Sequence, residues 1–103
     1  MAASGSDLPA EPGHRVGVYA ISVAAGMVRM NVQNLRVYER RGLLEPDRTD
    51  GGTRLYSAAD VARLRRIREL LDDGLNLAGV ARVLELEDEV ARLRRRVRRL
   101  SGG

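Results

Sequence analysis

Gln33, Arg36, Val37 and Arg40 recur at steps of three, one and three residues, which gathers them on one side of a helix turning about 100° per residue. The Gln amide both donates and accepts, each guanidinium is a planar fork of donors, and Val adds a small apolar surface. That is the chemistry of base edges in a major groove: Gln33, Arg36 and Arg40 suit hydrogen bonding, and Val37 suits a thymine methyl. Downstream, Arg54 and Tyr56 alternate in strand fashion and suit the positioning contacts made to phosphates.

Catalysis and metal binding lack the residues they need. The 103-residue chain has no Cys and a single histidine, His14, so it offers no thiolate, no disulfide framework and no His or Cys pair for a metal. Its acids fall mainly in turns, helix caps and a C-terminal charged segment, and no nucleophile stands with a base. No catalytic residue, metal site or cofactor is expected, and the chain reads as a non-enzyme.

A formal charge of +4 and a pI near 10.6 favour polyanionic partners, nucleic acid or an anionic surface. All 18 basic residues are Arg. Arg suits phosphates and base edges, while a GC-rich genome replacing Lys codons is the competing source of the bias, so the position of each Arg matters more than the total. With 44% apolar residues and three Tyr as the only aromatics, the core is expected to be aliphatic and helical. No run approaches the roughly 18 apolar residues of a membrane-spanning helix, and the start "MAASGSDLPAEPGHR" lacks a signal peptide's basic and apolar regions. A cytoplasmic, nucleoid-associated protein without membrane contact is expected.

Caps and breakers outline the elements that must position these side chains. Residues 1–17, rich in Ala, Gly, Ser and Pro, read as a disordered leader. "ISVAAGMVRM" predicts a short helix with Ser22 as N-cap. Asn31 caps a second helix from Val32 to about Arg41, closed by Gly42, with Val32, Leu35 and Tyr38 opposite the polar face. Beyond Pro46, Asp50-Gly51-Gly52 predicts a tight hairpin turn with positive φ, and Thr53 to Tyr56 a strand with Arg54 and Tyr56 on one side and Leu55 on the other. Ser57 and Asp60 form a capping box before the stripe Val61, Leu64, Ile67, Leu70 and Leu71, which Gly74 closes. Asn76 caps a fourth helix through Leu77, Val80, Val83 and Leu84, and no breaker separates it from the final segment.

That segment, "LELEDEVARLRRRVRRL", spaces Leu86, Val90, Leu93, Val97 and Leu100 four, three, four and three apart, an a/d seam of just over two heptads. Glu85, Glu87, Asp88 and Glu89 precede six arginines between Arg92 and Arg99. Parallel pairing would set Arg against Arg, whereas antiparallel pairing sets acid against base. An antiparallel helical homodimer is expected, with a solvated helix packed on its own domain as the alternative.

Helix, turn, helix and a Gly-tipped basic ribbon make the winged helix-turn-helix arrangement. The expected fold class is all-α with a small β-hairpin wing, plus a C-terminal antiparallel coiled-coil dimerisation helix. The corresponding boundaries are a leader at 1–17, a DNA-binding domain at 18–75, a connecting helix at 76–85 and a dimerisation helix with a short tail at 86–103. The string "NLRVYERRGLLEPDRTDGGTRLYS", with "YAIS" upstream and "DVARLRRIRELLDDGLNLAGVARVLEL" downstream, resembles the MerR family of transcription regulators over roughly Tyr19 to Leu100. "ISVAA" and "LNLAGV" look like its heat-shock repressor branch, HspR.

The resemblance implies a homodimer that binds an inverted repeat in double-stranded DNA and often bends it. It carries DNA contact to Arg36 and Tyr38 of the recognition helix and to Arg54 and Tyr56 of the wing. Together with the residues read from the helical face, the expected DNA-binding set is Asn31, Gln33, Asn34, Arg36, Val37, Tyr38 and Arg40, then Arg48, Arg54 and Tyr56. The branch implies repression of heat-shock and chaperone genes, with the chaperone DnaK as a candidate co-repressor.

Three departures stand out. Arg29 occupies a turn position where many relatives carry Gly, so either it takes a strained positive φ or the turn differs. Val37 replaces a Tyr, Thr or similar residue, which bears on the preferred operator. The chain stops at "LSGG" without cysteines, so a metal- or drug-sensing pocket is not expected. A sequence-tolerant architectural DNA-binding protein, and a protein-interaction module using the C-terminal helix, remain the alternatives; salt dependence and duplex competition separate them.

Overall fold

The structure, a computed structural model, describes residues 12–102. It comprises α1 (Ile21–Val28), α2 (Val32–Arg40), the antiparallel pair β1 (Asp47–Arg48) and β2 (Arg54–Leu55), α3 (Ala58–Asp72) and α4 (Leu77–Gly102). The chain forms two compact units, divided between Arg66 and Ile67 within α3.

The first unit contains both α1 and α2, the ribbon and the start of α3. Its core consists of Ala24, Ala25 and Val28 from α1, Leu35 and Tyr38 from α2, Leu43 and Leu44 after it, then Tyr56, Val61 and Leu64. The helix ends follow local chemistry. Asn31 Oδ1 accepts the Asn34 amide at 2.8 Å, the N-cap that fixes where α2 begins. Ser57 and Asp60 close the capping box reciprocally, with Asp60 N donating to Ser57 Oγ at 3.0 Å and Ser57 N donating to Asp60 Oδ2 at 2.9 Å.

Helices α1, α2 and α3 all end in the same motif, in which an amide reaches back to the carbonyl five residues earlier: Met30 to Ala25 at 3.0 Å, Leu43 to Tyr38 at 2.9 Å and Leu75 to Leu70 at 3.1 Å. The left-handed residue it requires is Gly42 (φ 76°) in α2 and Gly74 (φ 99°) in α3. In α1 it is Arg29, with φ 57° and ψ 44°. The turn therefore keeps its geometry, and Arg29 takes the strained conformation.

Two expectations change. Helix α1 starts at Ile21 with Ala20 as N-cap and no side-chain cap bond; Ser22 lies one residue inside the helix. The reason is tertiary, because Tyr19 forms an antiparallel bridge with Tyr56 and the chain leaves that bridge directly into the helix. Within the expected leader of 1–17, Pro12–Arg15 form a 3-10 turn, and Gly17 N donates to Asp47 Oδ2 at 2.8 Å. The remainder of the expected leader lies outside the described residues.

In the second unit Ile67, Leu70, Val80 and Leu84 are buried, and Asn76 Oδ1 caps α4 by accepting the Gly79 amide at 2.8 Å. Helix α4 then runs unbroken to Gly102, and along it Leu86, Val90, Leu93, Val97 and Leu100 are between 44% and 79% exposed. Among the described residues, no helix is long and apolar enough to cross a membrane.

Candidate nucleic-acid interface

Leu35 and Tyr38 anchor α2 in the core, at 0% and 5% exposure. Opposite them, Gln33 and Arg40 are exposed and Arg36 and Val37 half-buried, so the four side chains expected to act together lie within roughly 100° of arc on one helix. Arg41 adds a further exposed guanidinium. Asn31 is occupied in capping, Asn34 supplies the amide it caps, and Tyr38 holds the helix down. Arg63 Nε donates to the carbonyl of Leu43, which ties α3 to the segment leaving α2.

The ribbon is short, and its tip is closely fixed. Gly52 N donates to Thr49 O at 2.8 Å and Thr49 N to Thr53 O at 2.8 Å, while Thr53 N also donates to Thr49 Oγ1 at 3.1 Å. Only Gly52 of the two glycines takes a positive φ, 87°.

Arg48 and Arg54 are directly opposed in the ladder. Like charges in that relation repel, and the conflict is resolved by a residue that sequence reasoning missed, Glu39 of α2. One carboxylate oxygen accepts from Arg48 Nη2 at 2.6 Å and the other accepts from Arg54 Nε. Arg48 Nη1 also donates to the Gly52 carbonyl oxygen at 3.0 Å. Hydrogen bonding to Glu39 raises the Arg54 guanidinium above its already high ordinary pKa. Glu39 sits nine and fifteen residues from its partners, and nothing in the local pattern announces the pairing.

Tyr56 departs from expectation. It does not share an outward side with Arg54: it is 0% exposed, and among the described residues its hydroxyl is the buried side-chain group left without a hydrogen-bond partner. Strand alternation stops at Leu55, and the Tyr56 backbone turns to pair with Tyr19, exchanging bonds of 2.7 and 2.9 Å. The ring is thus part of the core and not of an outward strand face. Burial, and after it the negative charge of Glu39, pushes its phenol above the usual tyrosine pKa.

A helix with one face in the core and an Arg- and Gln-bearing face outside, tied to a Gly-tipped two-stranded ribbon, defines a winged helix-turn-helix protein. The profile of MerR HTH family regulatory proteins matches residues 19–87, and the chain belongs to that family. It is 49% identical over 85 residues to HspR of Streptomyces coelicolor, covering 82% of this chain and 56% of that protein. To the transcriptional regulator GlnR of Bacillus cereus it is 37% identical over 71 residues, covering 69% and 55% respectively. The chain thus spans a little over half the length of these relatives.

Solved structures agree. The transcription regulator PbrR691 from Ralstonia metallidurans in complex with lead(II) superposes with a TM-score of 0.65 at 27% identity, over 81% of this chain and 77% of that one. HiNmlR, a MerR-family regulator lacking the sensor domain and bound to promoter DNA, shares the fold with a TM-score of 0.62 at 22% identity, over 80% and 69%.

Proposed function

We propose that this regulator is a sequence-specific DNA-binding repressor that reads an inverted repeat as a homodimer. The observation that carries the reading is the placement of Gln33, Arg36 and Arg40 on the open face of α2, opposite the buried Leu35 and Tyr38. A helix about 10–12 Å across fits a major groove of about 12 Å, and those side chains are the ones that hydrogen-bond base edges. Arg48 and Arg54 serve the flanking phosphates, which position the protein without reading sequence.

Dimerisation is supported by the exposed stripe from Leu86 to Leu100, an apolar seam of the kind that a second helix covers. Antiparallel pairing sets Glu85 to Glu89 of one copy beside the basic stretch of the other. Similarity to HspR, whose name places it among heat shock proteins, supports a role in the heat-shock response; repression of chaperone operons, with DnaK as co-repressor, is the finer proposal and follows from the resemblance to that branch.

Selection of duplexes from a random pool tests the reading. The recovered site should be an inverted repeat, bound at least about a thousandfold more tightly than a scrambled duplex, with affinity falling steeply as salt rises. Equal affinity for all duplexes would favour a sequence-tolerant architectural binder instead.

A further inference from the structure

We infer that Glu39 is a specificity-setting positioning residue, which holds both wing arginines in register with the reading helix and withholds them from undirected phosphate contact. The inference rests on the DNA-binding reading given above and concerns a residue that bears the wrong charge for DNA.

Glu39 links three functional parts. Its backbone belongs to α2, and its two carboxylate oxygens engage Arg48 of β1 and Arg54 of β2. The two arginines are cross-strand partners, so without the carboxylate their guanidiniums repel and swing apart. Glu39 is also the least exposed of the three, with 18% of its side chain accessible against 45% for Arg48 and 31% for Arg54. Ion pairs on an open surface add little, but this one is partly sheltered and forked between two strands, which gives it directional control. Each guanidinium has five N–H donors. Glu39 takes Nε of Arg54 and one terminal nitrogen of Arg48, leaving the terminal nitrogens of Arg54 to meet an outside acceptor along a direction set by α2.

Electrostatics alone makes the opposite prediction. Removing a carboxylate beside a DNA-facing surface adds a unit of positive charge and should tighten binding to every duplex. A positioning residue behaves differently: its loss frees two long cations to grip any backbone while the aligned complex is lost.

The test uses the full chain, a duplex selected by the wild type from a random pool, and the same duplex with its base order scrambled. Glu39→Gln should lower affinity for the selected duplex about tenfold, leave the scrambled duplex equal or tighter, and steepen the salt dependence by about one to two released counterions. In an Arg48→Gln/Arg54→Gln background the same substitution should leave the selected-to-scrambled ratio unchanged, because nothing remains to be positioned. Should Glu39→Gln not fold, Glu39→Asp keeps the charge but draws the carboxylate back by one methylene, too far to span both partners, and should lower the ratio by a smaller factor. A ratio that stays at the wild-type value in whichever variant folds, or that falls equally without the arginines, overturns the inference while leaving the DNA-binding reading intact. A wild-type chain that shows no preference between the two duplexes removes the reading itself, and the inference with it.

Discussion

The amide of Gly17 donates to the carboxylate of Asp47 at 2.8 Å across thirty residues of sequence, so the first wing strand is braced by a segment that precedes α1. A Cβ on Gly17 would fall on the Leu55 carbonyl and lie 2.9 Å from Asp47 Cβ. The requirement for glycine here is space between backbones. Gly17→Ala should therefore lift the segment from the ribbon and cost about 1–3 kcal/mol, as overpacking does, measured by urea denaturation. An unchanged midpoint would mean the contact is dispensable.

Arg29 tests the left-handed turn between α1 and α2. Comparing two variants that both lack the guanidinium isolates the backbone: Arg29→Gly should be more stable than Arg29→Ala by about 1 kcal/mol, because a Cβ is penalised at φ 57°. Equal stabilities would indicate that the turn relaxes out of that region.

The orphan hydroxyl of Tyr56 gives a third prediction. A buried, unpaired hydroxyl costs roughly 1–3 kcal/mol, so Tyr56→Phe should raise stability by about 1 kcal/mol at neutral pH. The folded state raises the pKa of this phenol. The stability that depends on its neutrality is therefore complete below the unfolded value of about 10 and is lost as pH rises through the higher folded value. Tyr19 and Tyr38 are present in both proteins, so the advantage of Tyr56→Phe over the wild type should widen above about pH 10. A variant that is less stable at both pH values would show that the hydroxyl has a partner.

For the seam, Val90 and Leu93 are 44% and 47% exposed in the single chain. Replacing both with Asp places charges where apolar knobs would meet, and sedimentation should report dimers for the wild type and monomers for the variant. A persistent dimer would move the interface elsewhere.

The helices were legible in the sequence because their signals are local. Asn31, the Ser57–Asp60 pair, Asn76, Gly42 and Gly74 each act within one turn, and their caps and stops lie where the pattern put them. The outward face of α2 was legible for the same reason, since Leu35 and Tyr38 anchor its opposite side. What escaped is tertiary. Glu39 meets Arg48 and Arg54 only after the ribbon folds back on α2. Period-two alternation put Tyr56 beside Arg54, but β2 ends at Leu55 and pairing with Tyr19 turns the ring inward. Ser22 lost the cap of α1 to a backbone bridge that no short window reveals.

The outward face of α2 is the centre of this account, and Arg36→Ala measures it most directly. Titrated against the selected duplex, against single-base variants of it and against the scrambled duplex, the substitution should cost about 1–3 kcal/mol on the selected site, relax preference at one position in each half-site, and leave scrambled DNA nearly unaffected. Undiminished affinity with an unchanged base preference would show that sequence is read from some other surface.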